Sequence, residues 1–178
     1  MQIATTRMET FSDGVIAIII TIMVLELKLP VFGTDDTSIE IKNHLVKLAP
    51  YLIAYLFSFM MIGIYWTNHH HLFHLLEKTD EGLLWLNMIF LFCISLIPLA
   101  TALIGTNPKL TVSTIMYGAV MLLATLALTW MRTYSLKKKL LHQDRDKKLT
   151  RKIYYVSQRG RTKSIVGTLC YLISIPLS

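Results

Sequence analysis

Residues 82–108 read GLLWLNMIFLFCISLIPLATALIGTNP, 27 consecutive positions without an Asp, Glu, Lys or Arg. A hydrocarbon core about 30 Å thick needs roughly 20 helical residues to cross it. The stretch is long enough, and Trp85 near its start suits a membrane–water boundary. Working outward, residues 110–131 are uncharged over 22 positions and residues 48–68 over 21. The whole 178-residue chain agrees, with 53% hydrophobic and 16% charged residues, where a soluble domain carries about 25% charged residues. Mean hydropathy is +0.51. This composition excludes disorder and predicts an all-α integral membrane protein. It also argues against a nucleic-acid partner, despite a net charge of +7.

The positive charge is localised. Twelve of the eighteen Lys and Arg residues fall within 132–163. That connection is predicted to be cytoplasmic, because basic loops stay inside. The N-terminus and the 69–82 loop then share its side, while 31–47 and 106–110 lie outside. Helices are predicted over about 8–30, 47–68, 83–106 and 110–132. Residues 164–178 form a 15-residue apolar stretch, too short to span, and are expected to begin an incomplete fifth helix, the alternative being a re-entrant segment. No signal-peptide pattern opens the chain, so the first apolar segment is expected to stay as a membrane helix. Residues 1–178 are thus read as one transmembrane domain of a multi-pass cell-membrane protein. Cys93 and Cys170 sit in apolar runs without a CxxC spacing and read as small hydrophobes.

Helix one is the unusual span. Only twelve uncharged residues, 14–25, separate Asp13 from Glu26, so a full span must take charges near its ends. Such charges usually face a bundle interior or a water-filled cavity. At about 100° per residue, Ile18, Thr21, Ile22 and Leu25 share one stripe roughly 100° wide, while Ser12 and Asp13 point elsewhere. A buried carboxylate needs a partner, and Arg7, Trp66 and His70 are the candidates at the same end.

Arg7, Phe11, Ser12 and Asp13 spell R-x-x-x-F-S-D at the start of helix one. Trp66-Thr67-Asn68-His69-His70-His71-Leu72-Phe73 ends helix two, and Asp80-Glu81-Gly82-Leu83-Leu84-Trp85-Leu86-Asn87 opens helix three. Together these resemble, in order, the signatures of the transmembrane protein 175 family of potassium-permeable channels. The resemblance implies a six-helix architecture, of which this chain reaches helix five, and a homotetramer with helix one lining the pore. It implies a constriction at Ile18, a hydroxyl layer at Thr21 and an outer apolar layer at Leu25, with Ile22 on the same stripe. Arg7, Phe11, Ser12, Asp13, Trp66 and His70 would form a structural polar network, with potassium as the permeant ion and no cofactor. The alternative function is a proton-linked or cation secondary transporter; for the motif, the alternative to a structural role is a proton relay through Asp13 and His70.

Other signals carry less. Thr114-Ile115-Met116-Tyr117-Gly118 echoes a potassium filter, but Met116 stands where the filter needs glycine and the pentad lies in an apolar helix. His70 and His74 have i, i+4 spacing, yet no cysteine or HExxH pattern accompanies them, and no metal site is expected. No nucleophile with an adjacent base, phosphate-binding glycine loop or catalytic carboxylate pair is present, so an enzyme is not expected.

Overall fold

The computed structural model describes residues 5–25 and 38–141. Among them are five α-helices and no strands: α1 Thr5–Leu25, α2 Ser38–His74, α3 Glu81–Ser95, α4 Ile97–Thr106 and α5 Thr111–Lys137. Four stretches are long and apolar enough to cross a membrane: Thr5–Leu25, Leu48–His74, Glu81–Thr106 and Thr111–Lys137. The chain is a multi-pass membrane protein. Lipid offers no hydrogen bonds, so each span satisfies its own backbone as a helix. The incomplete helix expected over 164–178, most of the basic connection and the end of helix one beyond Leu25 lie outside the described residues.

Spans consecutive in the chain run antiparallel. α1 packs on α2 and α3, α2 on α4, and α5 against α3 and α4. The start of α1, the end of α2, the start of α3 and the end of α5 meet at one end. Asp80 organises that end: its Oδ1 caps α3 by accepting from the Leu83 amide at 2.8 Å, and its Oδ2 accepts from the Tyr134 hydroxyl at 2.8 Å. A bridge between Leu76 and Leu141, with the Glu77 amide donating to the Leu140 carbonyl at 2.9 Å, ties the α2–α3 turn to the end of α5.

Several boundaries differ from the sequence prediction: α2 begins at Ser38 rather than near 47, and α5 runs on to Lys137 rather than 132. α2 continues to His74 rather than stopping near Asn68, with His69, Leu72 and Phe73 of the added turns buried against the bundle. The third span is interrupted at Leu96, whose amide donates back to the Cys93 carbonyl at 3.4 Å. Pro98 has no N–H for the Ile94 carbonyl, so the helix restarts as α4. The break is bonded on its far side: Thr101 donates to Ser58 on α2 at 2.6 Å, and Ser58 lies 3.0 Å from the Tyr117 hydroxyl on α5. Phe90, Ile94, Ile97 and Leu83 are fully buried along this span and form the centre of the core.

Candidate functional site

α1 has two distinct faces. Met8, Ser12, Ile16, Ile19 and Met23 are buried, at spacings of four, four, three and four that keep one side of the helix on the bundle. Ile18, Thr21, Ile22 and Leu25 lie on the other side. Ile18 is 58% exposed, Ile22 42% and Leu25 78%. Among the described residues the stripe is therefore uncovered, apart from an apolar cleft of about 400 Å³ where Ile18 and Ile22 face Ser95, Pro98 and Leu99. Thr21 is exposed and donates its hydroxyl to the Ile18 carbonyl at 2.9 Å. Its proton is thus turned back onto the helix, leaving oxygen lone pairs for an outside donor or cation.

The buried face is held by a directional hydrogen-bond chain through three helices. Ser12 donates to the Met8 carbonyl at 2.8 Å, so its oxygen accepts from Asn87 Nδ2 at 2.9 Å. With that amide donating, Asn87 Oδ1 faces His69 Nε2 at 2.8 Å, which requires the Nε2–H form of the imidazole. Ser12, Asn87 and His69 are all fully buried. The ring of His69 stacks on Phe73 at 4.3 Å and on Phe90 at 5.3 Å, and its Nδ1 has no hydrogen-bond partner. One residue along, Asp13 is half-buried and accepts from Trp66 Nε1 at 2.9 Å.

The expected network is therefore divided. Ser12 points into the bundle, and Asp13 pairs with Trp66. His70 pairs with Glu9 at 3.1 Å, stacks on Trp66 at 5.7 Å, and is not joined to Asp13. Arg7 and Phe11 are exposed, and among the described residues Arg7 forms no ion pair with Asp13. His69 and Asn87, which the sequence reading did not place in the network, carry the buried link. Both stood within the quoted motifs, and that was the available signal. His70 and His74 stack at 6.3 Å, and among the described residues no three His, Cys, Asp or Glu side chains converge as metal ligands.

The profile of the family described as "Endosomal/lysosomal potassium channel TMEM175" matches residues 7–98, just over half of the chain and all three signatures. The chain belongs to the TMEM175 family. The family is one of ion channels, not enzymes. A potassium channel of Chryseobacterium sp. (strain P1-3) is 46% identical over 123 residues, covering 69% of this chain and 60% of that protein. A potassium channel of Chamaesiphon minutus is 36% identical over 124 residues, covering 68% and 61%. The human endosomal/lysosomal proton channel TMEM175 is 33% identical over 104 residues, covering 57% of this chain and 20% of that one. This TMEM175 chain thus spans about three-fifths of the first two relatives. The crystal structure of a lysosomal potassium-selective channel TMEM175 homolog from Chamaesiphon minutus superposes with a TM-score of 0.76 at 27% identity, over 96% of this chain and 88% of that one.

Proposed function

We propose that the protein is a potassium-permeable cation channel of the cell membrane, with its N-terminus cytoplasmic. It acts as a homotetramer in which α1 from each copy faces the axis. The observation that carries this reading is the division of α1. One face is pinned to α2 and α3 by burial and by Ser12–Asn87–His69, while Ile18, Thr21, Ile22 and Leu25 remain exposed. One amphipathic stripe cannot enclose water, but four copies around a closed symmetry axis do. Family membership and the potassium channels among its relatives support the ion.

In this reading Ile18 is the main gate. A ring of branched aliphatic side chains offers no hydrogen bond in place of hydration, so a narrow ring empties of water and ions. Ile22 shares the seal and Leu25 forms an outer apolar layer. Thr21 lies one turn beyond Ile18 and presents uncharged oxygens, which suit partial replacement of a hydration shell. That favours the more weakly hydrated potassium. Asp13 is structural, as the partner of Trp66. The permeant ion is the cargo, and no cofactor is involved.

Liposome flux tests the assignment. Ile18→Asn should wet the constriction and raise basal potassium flux by about tenfold or more, while Thr21→Val should lower potassium preference with little change in closed-state leak. An Ile18→Asn protein with unchanged leak would put the gate elsewhere, at Leu25 first. The vertebrate relatives named as proton channels favour a second reading, proton permeation through the same path. A potassium gradient that collapses only with an obligatory counter-substrate would instead make the protein a transporter.

A further inference from the structure

Arg132 is a half-buried cation in a membrane-spanning helix, and no carboxylate among the described residues lies within ion-pair distance of it. It stands five residues before the end of α5, about 7.5 Å along the axis. Its Nη2 donates to Asn68 Oδ1 at 2.8 Å and to the Asn68 carbonyl at 3.2 Å. Those two bonds use both hydrogens of that nitrogen and tether the guanidinium to α2. Three further N–H donors, two on Nη1 and one on Nε, remain for another acceptor.

The surroundings are interfacial, and the bases there share the bundle end with Glu77, Asp80 and Glu81. Lys137, Lys138 and Lys139 are exposed at the end of the same helix, and His71 is exposed one turn beyond Asn68 on α2. Lys139 adopts a φ of 54°, a left-handed conformation that glycine would take more easily. It is held there by Lys139 N to Leu136 O at 3.3 Å and Leu140 N to Ser135 O at 3.1 Å, while Leu141 bridges Leu76. The backbone that carries these lysines is thus fixed against the bundle end, about one to two helical turns beyond Arg132. Trp130, two residues before Arg132, is exposed at the same height, where an amphipathic ring marks a headgroup boundary.

An ionised side chain inside a span persists only where it is paired or reaches the interface. The counter-charge that a bilayer supplies at that depth is a lipid phosphate. We propose that Arg132, oriented by Asn68, binds the phosphate of an anionic phospholipid in the leaflet at this end of the bundle. A zwitterionic headgroup would bring its own cation beside Arg132 and the lysines, so the site prefers phosphatidylglycerol to phosphatidylcholine.

Native mass spectrometry of the full chain, loaded with equal phosphatidylglycerol and phosphatidylcholine, measures this directly. The wild type should retain phosphatidylglycerol about fivefold over phosphatidylcholine, as expected for one basic side chain at an anionic surface. Arg132→Gln should bring the ratio near parity, and a Lys137, Lys138 and Lys139→Gln triple variant should keep most of the preference. Should Arg132→Gln fail to accumulate, Arg132→Lys decides, since an ammonium cannot hold Asn68 and a phosphate in the same way and the ratio should fall about twofold. Parity in the wild type, an unchanged ratio in either Arg132 variant, or loss of preference in the triple variant overturns the proposal. Displacement of phosphatidylglycerol by millimolar inorganic phosphate would assign the site to a free anion and overturn the lipid assignment.

Discussion

Replacing Asn87 with leucine removes the centre of the buried chain while keeping the side chain's approximate size. Two hydrogen bonds disappear, His69 Nε2 to Oδ1 at 2.8 Å and Nδ2 to Ser12 Oγ at 2.9 Å. If each were worth only the average measured between membrane helices, about 0.6 kcal/mol, the loss would be near 1.2 kcal/mol. The geometry argues for more. Ser12 still donates to the Met8 carbonyl, so its oxygen loses only an incoming bond. His69 is fully buried and its Nδ1 has no partner already, so losing Asn87 strands the whole imidazole between Phe73 and Phe90. A stranded buried donor costs about 1–3 kcal/mol, and the expected total is about 2–4 kcal/mol. Unfolding in mixed detergent micelles, followed by loss of helical circular dichroism, measures it. The decisive comparison is the double variant with His69→Phe, which replaces the stranded ring with one that stacks. Removing both partners should make the double variant about 1 kcal/mol more stable than Asn87→Leu alone. Additive costs, or an Asn87→Leu variant within about 0.5 kcal/mol of wild type, would refute the chain as the element that fastens α1.

Asp13→Asn should weaken the Trp66 Nε1 bond by about 1 kcal/mol, because a charge-assisted acceptor becomes neutral, and it should lower the yield of intact oligomer on native gels. A variant that assembles normally while ion selectivity collapses would place Asp13 in the ion path. Gly105→Ala should cost about 1–3 kcal/mol, since its added methyl would meet the Tyr51 ring. Gly63→Ala, with open space at the same atom, should be neutral or stabilising by about 0.5–1 kcal/mol. The same micelle unfolding assay compares the two glycines, and equal effects would contradict the close α2–α4 approach at Tyr51.

The spans were legible in the chain because crossing a bilayer imposes a length and an absence of charge that composition alone reveals. The two-faced character of α1 was legible too. A period of 3.6 residues places Ile18, Thr21, Ile22 and Leu25 on one side whatever the helix packs against, and the structure leaves that side exposed. The three signatures also pointed to the family that the profile matches. Tertiary structure decided which polar groups meet. His69, His70 and His71 are adjacent in sequence but about 100° apart around α2, so only the rotation of that helix selects the one that faces the core. Phe90 of α3 stacks on His69 from across the helix interface, in the rotation that turns His69 to Asn87 and leaves His70 for Glu9. The interruption at Leu96 was likewise a tertiary outcome. Pro98 announces a missing hydrogen bond in any setting, but whether a helix bends or restarts depends on what holds the next turn. Here Thr101 and Ser58 hold it against α2.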